Sequence, residues 1–568
     1  MQWFGGVVAA TGSPTVRPAS PTWSTALPCG ELWTVGRGSG TVAEAGPLKG
    51  IVLGTHTVSA DGLRTWLSGS WRFGPPSWPG TYAVVVGHPE GAAVFTDPAH
   101  ALPIHFCEVE DSVVWASSSH ALSGVTGGGV DLAWVSDLLA DPAGRHGTER
   151  SSFLRVRTVP PGHRMDAHRE GRATVDRWCS APRSAPRVEA VRLFRKALEG
   201  AVMTRLAQAE HLSCDLSGGL DSTTLCLLAS NQASGARALT AWTVHPASRD
   251  RGGDLDHARQ AVRERPNVDH MLLPLTDKEL PYSGLDRVPP TDEPAPATIT
   301  SARHVLAYER IRAAGSTLHM TGDGGDALLM QSPELVLRLA ARGRVLRALR
   351  DLHGWAKLDR GSPVRLLSRL ARGEPGPSSR WLTPKARYMA VSGPGRGTGE
   401  FLRGDAELHA LRGIGRTAHA DAQFAVSFGV RLESPFLDRA VVEAALAFRA
   451  EDRGSPWHYK PQLTEAMPDV LPPAIARRRT KGGTDADHHL GLRAHLPEIS
   501  VLVDGWLAGH GLIDPQTMRE ELRAAASGRD TPWGLLEPVI AAEVWGRAVE
   551  ASTPPSWARV PARQEAGR

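Results

Sequence analysis

The sequence of 568 residues is too long to fold around one hydrophobic core, so we expect two or more domains. A hydrophobic content of 41% and a charged content of 22% are ordinary for soluble globular proteins, and the net charge of +4 is too small to indicate a nucleic-acid partner. The five cysteines are far apart and give no sign of a disulfide framework or a cysteine zinc site. Since no apolar run reaches the ~18 residues of a membrane span and no signal peptide is recognisable, we expect a cytoplasmic protein.

The first part of the chain, residues 1–180, is rich in Gly, Pro and Trp and contains short apolar runs bounded by turn-forming residues. Such runs predict strands, and we interpret residues 1–180 as a β-rich N-terminal domain. The residues from 180 to 186 read Ser-Ala-Pro-Arg-Ser-Ala-Pro, which is typical of a linker. The predicted strands are Ile51–Leu53, Tyr82–Val86, Ala92–Phe95 and Ser112–Ala116.

From Val188 onward, apolar residues recur at helical spacing, and short strands then alternate with helices of ~10–15 residues. This alternation predicts βαβ units and a doubly wound parallel sheet in a second domain, residues 187–555, whose part after residue 335 is mostly helical. The predicted strands are His211–Leu216, Ala238–Val244, Val268–Leu273 and Thr317–Thr321, and the predicted helices between them are Ser222–Ser230, Asp254–Glu264 and Ser301–Ala314.

A Gly-rich loop, Ser217-Gly-Gly-Leu-Asp-Ser222, connects the first of these strands to a helix. Its two glycines allow a tight turn and a close approach of the backbone to a ligand. The free N–H groups at the start of the helix and the hydroxyls of Ser217 and Ser222 are suited to binding phosphate. Asp221 would repel a phosphate but is a suitable ligand for a Mg²⁺ ion that bridges phosphate oxygens. The alternative is a plain strand–turn–helix junction in which Ser and Asp are helix caps.

A second loop, Thr321-Gly-Asp-Gly-Gly-Asp326, follows a later strand of the same predicted sheet. In an open parallel sheet, ligands bind beyond the carboxyl ends of the strands, at the point where the strand order reverses, and both loops would meet there. Asp326 would then share the Mg²⁺ ion with Asp221. The alternative is an ordinary Asp/Gly turn.

A third sequence, Arg477-Arg-Arg-Thr-Lys-Gly-Gly483, contains Lys481, one of only seven lysines in a chain with 57 arginines. The glycines after Lys481 would let the loop carry its ammonium to a charge that develops during phosphoryl or acyl transfer. The alternative is a solvated charged surface.

These three sequences resemble the asparagine synthetase family, whose pyrophosphate loop reads S-G-G-L-D-S. The resemblance covers most of residues 40–550. It implies a degenerate glutaminase-like (Ntn-type) domain followed by an ATP-pyrophosphatase synthetase domain. Further sequences that resemble the family's synthetase motifs, in its order, are Asp292-Glu-Pro294, Ser434-Pro-Phe-Leu-Asp438 and Leu471-Pro472. Those that resemble its glutaminase domain are Gly80-Thr-Tyr-Ala-Val84, Thr96-Asp-Pro98, Trp115-Ala-Ser-Ser118 and Val159-Pro-Pro-Gly162.

One position departs from the family. Its amidotransferases expose a nucleophilic cysteine as the first residue after removal of Met, but residue 2 here is Gln2, and the nearest cysteine is Cys29. We therefore expect no release of ammonia from glutamine and another amine as the nucleophile. Two branches of the family lack this cysteine, the β-lactam synthetases and the lasso-peptide cyclases. β-Lactam synthetases have a Tyr where this chain has Asp323, which favours the cyclases.

The resemblance to the cyclases implies an ATP-dependent, AMP-forming carbon–nitrogen ligase. It would adenylate an Asp or Glu side chain of a precursor peptide and form a macrolactam with the N-terminal amine of that peptide. The implied roles are ATP binding by Leu216, Ser217, Gly218, Gly219, Asp221, Ser222, Val244 and Gly322, Mg²⁺ binding by Asp221 and Asp326, stabilisation of developing charge by Lys481, and positioning or deprotonation of the amine by Asp323.

A leader-binding protein and a leader peptidase are the partners that this resemblance implies, with no nucleic acid and no membrane. Four alternatives stay open: a small-molecule amide or β-lactam synthetase, an asparagine synthetase that uses free ammonia, a non-catalytic scaffold, and a tRNA-modifying ATP pyrophosphatase. The intact Asp221, Asp326 and Lys481 argue against a scaffold. The near-neutral charge and the missing Cys pair argue against the tRNA-modifying enzyme.

Overall fold

The computed structural model describes residues 2–560 except 11, 37, 143–148, 181, 234–238, 249–250, 332, 359–360, 373–378, 393–405, 450–451, 479–484 and 530. Antiparallel sheets form the N-terminal region, a parallel sheet follows, and most of the remaining described chain is helical. The predicted α/β class is therefore confirmed. Within the described residues, no helix is both long enough and apolar enough to cross a lipid bilayer.

The described part of the N-terminal region contains two six-stranded antiparallel sheets and three α-helices. Its strands are β1 (Trp3–Ala9), β2 (Thr15–Pro18), β3 (Trp23–Leu27), β4 (Gly30–Val35), β5 (Thr41–Ala45), β6 (Leu48–His56), β7 (Gly80–His88), β8 (Gly91–Phe95), β9 (Ile104–Val109), β10 (Ser112–Ala116), β11 (Arg157–Val159), β12 (His163–His168) and β13 (Ala173–Arg177). Its helices are α1 (Ala60–Gly69), α2 (Ser119–Thr126) and α3 (Leu132–Ala140). One six-stranded sheet has the order β11-β9-β10-β1-β4-β3, and the other has the order β13-β12-β8-β7-β6-β5.

A buried apolar core lies between these two sheets. Phe4 and Val8 of β1 and Trp115 of β10 contribute to this core from one sheet, and Val85 of β7 and Val94 of β8 contribute from the other. Burying such a side chain stabilises a fold by about 1.5–3 kcal/mol relative to leaving it exposed. The sequence pattern identified β6, β7, β8 and β10 but not β1, because Gly5 and Gly6 interrupt the apolar run of β1 and are residues typical of turns.

The second region contains a five-stranded parallel sheet with the order β16-β15-β14-β17-β18. The strands are β14 (Leu212–Asp215), β15 (Leu239–Pro246), β16 (Val268–Leu275), β17 (Leu318–Met320) and β18 (Arg431–Glu433). The chain adds strands in one direction from β14 to β16 and then in the other direction from β17 to β18. The strand order therefore reverses between β14 and β17, as a doubly wound sheet requires.

Helices cover the parallel sheet and form the rest of this region. They are α4 (Arg187–Gln208), α5 (Leu220–Gln232), α6 (Gly253–Val262), α7 (Ser301–Ala313), α8 (Gly325–Leu329), α9 (Leu335–Ala341), α10 (Val345–Leu358), α11 (Pro363–Arg372), α12 (Pro384–Ser392), α13 (Ala406–Ser427), α14 (Arg439–Leu446), α15 (Pro461–Ala466), α16 (Pro473–Ala476), α17 (Asp485–Ala494), α18 (Leu496–Leu502), α19 (Trp506–Gly509), α20 (Pro515–Ala526) and α21 (Trp533–Ala551). The prediction of a mostly helical chain after residue 335 is confirmed. A last strand, β19 (Trp557–Val560), pairs with β2 of the N-terminal region.

A buried cluster of charged side chains joins the two regions. Arg205 of α4 is fully buried and donates to Glu433 Oε2 at 3.0 Å and to Asp438 Oδ1 at 2.7 Å. From the N-terminal region, the Thr55 hydroxyl donates to Glu433 at 2.5 Å and the Thr81 hydroxyl donates to Asp438 at 2.8 Å. The family-like sequence that ends at Asp438 therefore supports the contact between the regions.

Asp292 makes a second buried contact between the regions. Its carboxylate accepts hydrogen bonds from the Ser118 hydroxyl at 2.7 Å, the His120 N–H at 2.9 Å and the Gln423 amide at 2.6 Å. Burial raises the pKa of Asp292, but His419 and the His120 N–H outweigh burial and hold this pKa well below its usual range. Asp292 is therefore a charged anchor for the helix that carries Ser118 at its N-cap.

Candidate active site

The residue that enters the Gly-rich loop is fixed to the neighbouring strand. The Leu216 N–H donates to the Trp242 carbonyl at 2.8 Å, and the Leu216 carbonyl accepts from the Thr243 hydroxyl at 2.5 Å. Both partners belong to β15, so the loop starts from a defined position at the carboxyl end of β14. Val244, predicted to frame the adenosine, lies close by at the carboxyl end of the same strand.

The loop is held in shape by its own hydroxyl groups. The Ser217 and Ser222 hydroxyls lie 2.8 Å apart, the Ser217 N–H donates to Ser222 Oγ at 3.2 Å, and the Gly219 N–H donates to Ser217 Oγ at 3.3 Å. Gly218 has φ of +74°, and a Cβ there would lie 2.3 Å from the Asp254 carbonyl oxygen of α6. Only glycine fits at this position, because both the left-handed backbone and the close approach exclude a side chain.

The loop ends at the first turn of α5, with Gly219 at the N-cap. Within the described residues, no side chain caps this helix. The first N–H groups of a helix have no partners inside the helix, and they attract anions. The start of α5 at Gly219 and Leu220 therefore offers N–H groups suited to a phosphate, and phosphate binding at this loop stays a prediction.

The second loop packs directly on the first, as the predicted strand order requires. A Cβ at Gly322 would lie 2.9 Å from the Ser222 nitrogen, and a Cβ at Gly325 would lie 2.5 Å from the Asp221 Cγ. These close approaches bring the turn before α8 against the first turn of α5. The two Asp/Gly-rich sequences therefore form one site at the point where the strand order reverses.

Lys460 lies between the two carboxylates that were predicted to hold a metal ion. Its ammonium donates to Asp221 Oδ2 and is 2.6 Å from Asp326 Oδ1, and its side chain is only 1% exposed. Burial lowers the pKa of Lys460, but the charges of Asp221 and Asp326 outweigh burial and raise it above its usual value. The Tyr459 ring lies 4.9 Å from the ammonium, and its hydroxyl donates to Asp326 Oδ1 at 3.4 Å.

The sequence analysis missed Lys460, although one signal pointed to it. It is one of only seven lysines, and it directly precedes Pro461, which begins α15. The rarity of lysine, which favours a role for Lys481, applies equally to Lys460. Lys460 also has φ of +46°, an uncommon backbone conformation for a residue other than glycine.

Lys481 itself lies outside the described residues, in the segment 479–484. Its predicted role therefore stays a prediction. The neighbouring residue Arg478 is described, and its guanidinium donates to the Gly218 carbonyl at 2.7 Å and pairs with Asp254. This contact attaches the chain three residues before Lys481 to the Gly-rich loop.

Residues 193–547, more than half of the chain, match the model of the family described as asparagine synthase. The chain belongs to the asparagine synthase family. The predicted enzyme class, an ATP-dependent ligase, is thereby confirmed. The narrower assignment to the lasso-peptide cyclases is not decided by this match.

Similar solved structures include a U34-tRNA thiolase from Methanococcus maripaludis, with 16% identity, 41% of this chain and 79% of that chain covered, and a TM-score of 0.20. A glutamine phosphoribosylpyrophosphate amidotransferase from B. subtilis has 12% identity, with 56% of this chain and 75% of that chain covered, and also a TM-score of 0.20. Similarity at this level carries no argument about function. No curated protein matches the sequence.

The donor set of this asparagine synthase family member fits a Mg²⁺ ion that arrives with a nucleotide. Asp221 and Asp326 converge on one cationic group, the Lys460 ammonium, and carboxylate oxygens are the ligands that Mg²⁺ prefers. Within the described residues, no group of three or more His, Cys, Asp or Glu side chains could hold a metal ion. A site with only two carboxylates suits a Mg²⁺ ion that takes its remaining ligands from phosphate oxygens and water.

Asp323 lies in the second loop beside another carboxyl group of the family member. The Asp323 backbone N–H donates to the Thr321 hydroxyl at 3.3 Å, a hydrogen bond that fixes the backbone of the turn. The pKa of Asp421 is raised to about 8. Burial is the largest cause, the hydrogen bond from the Ala297 N–H partly opposes it, and the charge of Asp323 adds to the increase. The hydrogen bond that the Ala297 N–H donates to Asp421 Oδ1 is 2.8 Å long. The second loop therefore carries a negative charge next to a carboxyl group that tends to stay protonated.

A buried histidine connects the two strands at the reversal of strand order. The Nε2 atom of His319 in β17 lies 3.1 Å from Asp215 Oδ1. Its Nδ1 atom lies 2.9 Å from the Ser213 hydroxyl oxygen. Burial raises the pKa of Asp215, but the interaction with His319 and the charge of Arg303 together outweigh burial and lower the pKa below its usual value. These polar contacts were not predicted, because the pairing of β14 with β17 brings together residues that are about a hundred positions apart.

Gln2 lies at a small cavity between the two regions. The cavity has a volume of about 110 Å³, and its lining includes Thr55 and Thr81 from the N-terminal region and His419 and Glu433 from the second region. No cysteine belongs to the described lining residues, and all five cysteines of the chain are free thiols elsewhere. The described lining of this cavity therefore supplies no thiol nucleophile.

Proposed function

We propose that this enzyme adenylates an Asp or Glu side chain of a peptide and closes a macrolactam with the N-terminal amine of the same peptide. Membership of the asparagine synthase family supplies the ATP-dependent ligase chemistry. Gln2 is the observation that carries the proposal further. Its amide cannot replace the thiolate that cleaves glutamine, and in this proposal an amine of the substrate itself supplies the nitrogen.

The two loops are suited to the adenylation step. The α5 start and the Ser217 and Ser222 hydroxyls would bind the pyrophosphate part of ATP. Asp221 and Asp326 would hold the Mg²⁺ ion, which neutralises phosphate charge when it is bound. In the proposed step a peptide carboxylate oxygen attacks the α-phosphorus, the bond to pyrophosphate breaks, and an acyl-adenylate forms.

The second proposed step closes the ring. The neutral peptide amine attacks the activated carbonyl carbon, the bond to AMP breaks, and the nitrogen releases one proton and keeps the other as the amide N–H, so that the peptide has lost one water in total. An α-amino group with an unperturbed pKa near ~8 needs only modest help at neutral pH, and Asp323 is the proposed residue to position or deprotonate it. Lys481 is proposed to stabilise developing negative charge, a kind of contact worth about 2.7–4 kcal/mol in other enzymes.

The proposal also implies partners. A peptide of ~15–20 residues loses considerable conformational entropy when it is held ready for ring closure. The substrate would be a precursor peptide freed of its leader. A leader-binding protein and a leader peptidase would therefore act before this enzyme.

The proposal is tested by incubating the full-length protein with ATP, Mg²⁺ and leaderless peptides of ~15–20 residues that carry one Asp or Glu at successive positions. We expect mass spectrometry to detect a product lighter by one water, together with AMP. The Asp221→Ala variant should form neither product nor AMP, because it lacks a carboxylate of the phosphate site.

Other outcomes would contradict the proposal. Formation of asparagine from free aspartate and ammonia would show an asparagine synthetase, and cyclisation of a free β-amino acid would show a β-lactam-type synthetase. Release of ammonia from glutamine by the purified protein would overturn the argument from Gln2. AMP formation that persists in Asp221→Ala would refute the assigned phosphate site.

A further inference from the structure

The connection between β17 and β18 contains three consecutive helices that form a small unit of their own. Helices α9, α10 and α11 share an apolar core to which Leu339, Leu352 and Leu366 contribute. This unit follows α8, and therefore the second loop of the active site, directly in the sequence. Neither the family assignment nor the proposed reaction gives these helices a role.

The unit is strongly basic. Residues 335–372 contain nine Arg and one Lys but only two Asp, which is a net charge of +8 in a chain whose total is +4. The rest of the chain therefore carries a net charge of −4. One of the two acidic residues, Asp351, is buried and lies 3.5 Å from the Arg347 guanidinium. Cationic charge is thus concentrated on this one element of the molecule.

The same unit exposes large aliphatic side chains. Leu346 is 86% exposed and Val364 is 76% exposed, and Leu349 and Leu367 are also exposed. We call the following set the insert face: Val345, Leu346, Leu349, Leu358, Val364 and Leu367, with the exposed cations Arg342, Arg350, Lys357 and Arg365. Grouped exposed apolar side chains with charged neighbours are typical of interaction sites, whereas single exposed leucines are not.

The insert face is connected to the active site through α10. A Cβ at Gly354 would lie 2.6 Å from Pro456 Cβ and 2.9 Å from the Trp457 ring, so α10 packs tightly on this segment. The Arg350 guanidinium lies 5.5 Å from the Trp457 ring centroid. Trp457 is three residues before Lys460, whose ammonium contacts both site carboxylates. A partner on the insert face would therefore bind next to the segment that carries the active-site lysine.

We propose that the insert face binds an acidic amphipathic segment of a partner polypeptide. Carboxylates of such a segment would pair with the arginines of the insert face, and its apolar side chains would cover the exposed Leu and Val residues. A second copy of the chain is disfavoured as the occupant, because joining two insert faces would bring like charges together. A polypeptide is favoured over a bilayer because the apolar side chains belong to two packed helices beside the Trp457 segment, an arrangement typical of helix docking.

The probe for this proposal is a fluorescein-labelled, helix-forming peptide of ~18 residues built from Leu, Ala and Glu. We expect saturable binding to the full-length protein by fluorescence anisotropy, weakened by salt because the charged pairs are exposed. A scrambled peptide of the same composition and a Leu/Ala/Lys peptide should bind at least tenfold more weakly. The result does not depend on which carboxylate the enzyme activates, so it can fail or succeed independently of the proposed function.

Two variants locate the binding surface. Leu346→Ser combined with Val364→Ser, and Arg342→Glu combined with Arg365→Glu, should each weaken peptide binding tenfold or more, and both change only exposed side chains. The matched control is Val188→Ser, which changes an equally exposed side chain on α4 and should leave binding unchanged.

Three outcomes would overturn the proposal. These are no saturable binding of the acidic peptide, equal binding of the scrambled peptide, and an equal effect of Val188→Ser. Vesicles of phosphatidylglycerol and of phosphatidylcholine form a further arm of the experiment. If the insert face binds only the phosphatidylglycerol vesicles, it is a membrane-binding surface and the polypeptide proposal is wrong.

Discussion

The charge balance of the candidate site depends on single side chains. Lys460 contributes most to it, because its ammonium pairs with both Asp221 and Asp326. Two carboxylates that approach one point repel each other unless a cation lies between them. Asp221 and Asp326 come from different loops, and the Lys460 ammonium offsets both charges. Repulsion between Asp421 and Asp323 is avoided in another way, because the carboxyl group of Asp421 stays protonated and therefore uncharged.

Replacing Lys460 by Met should lower the free energy of unfolding by about 3 kcal/mol, because the change leaves two neighbouring carboxylates without their buried cation. Urea denaturation followed by tryptophan fluorescence measures this loss. The exposed lysine Lys278 provides the control, and Lys278→Met should change the free energy by no more than about 0.5 kcal/mol. An equal effect of the two substitutions would show that the buried ammonium does not stabilise the site.

The stability of the protein should depend on pH through Asp421. Its pKa of about 8 in the folded state lies above the ~4 of an unfolded chain, so it contributes stability that is lost as pH rises from ~4 to ~8. Asp421→Asn removes this dependence. Between pH ~5 and pH ~7, the free energy of unfolding of the variant minus that of the wild type should therefore increase by up to about 1.4 kcal/mol per pH unit. Parallel curves in urea denaturations across this range would refute the raised pKa.

At the scale of structural elements, the site depends on two strand–loop–helix units that meet because β14 and β17 are neighbours. The second unit has glycines where the first unit approaches: Gly322 and Gly325 lie against the first turn of α5. In the first unit, Gly218 lies against the start of α6. Glycine at these positions is therefore required by packing as well as by any ligand.

Gly218 and Gly219 form a matched pair for testing this argument. Gly218→Ala should lower the free energy of unfolding by about 2–3 kcal/mol, because φ is +74° and the new Cβ would meet the Asp254 carbonyl at 2.3 Å. Gly219→Ala should cost less than about 1 kcal/mol, since φ is −74° and the nearest atom is Ser217 Oγ at 3.2 Å. Chemical denaturation of both variants provides the comparison. Similar losses for the two variants would contradict the assigned backbone geometry.

At the scale of the whole molecule, buried polar contacts hold the antiparallel and parallel regions together. Arg205, Glu433 and Asp438 form the charged part of this contact, and Asp292 forms a second part. Since Glu433 ends β18 and Asp438 starts α14, the outer edge of the parallel sheet is fixed by the N-terminal region. The N-terminal region therefore has a structural role that does not require a glutaminase.

Arg205→Met should lower the free energy of unfolding by about 3–5 kcal/mol, because it leaves Asp438 buried without its cation and removes one of the two arginines that pair with Glu433. Arg187→Met is the control in the same helix. Arg187 forms exposed ion pairs with Asp452 and Glu465, which are worth about 0–1 kcal/mol. Urea denaturation should separate the two variants clearly, and equal stabilities would mean that the contact between the regions is not held by Arg205.

Local patterns in the amino-acid order identified much of the fold and part of the site. The helical and strand periodicities located β14, β15, β16 and β17 to within about two residues at most of their ends, because such patterns are set by near neighbours along the chain. Turn chemistry likewise identified the loops at residues 217–222 and 321–326. The resemblance to a family, later confirmed by the match over residues 193–547, identified the ligase chemistry.

Tertiary structure alone revealed the features that depend on distant contacts. Strand β1 is interrupted by Gly5 and Gly6, and β18 has a single apolar residue, Leu432, so neither carries a recognisable period. Lys460 and Asp221 are 239 positions apart, and only the tertiary fold brings the start of α15 to the Gly-rich loop. The order of residues therefore determined local conformation and the type of chemistry. Burial and strand pairing decided which charges meet, because the free energy of an ion pair depends on its surroundings in three dimensions.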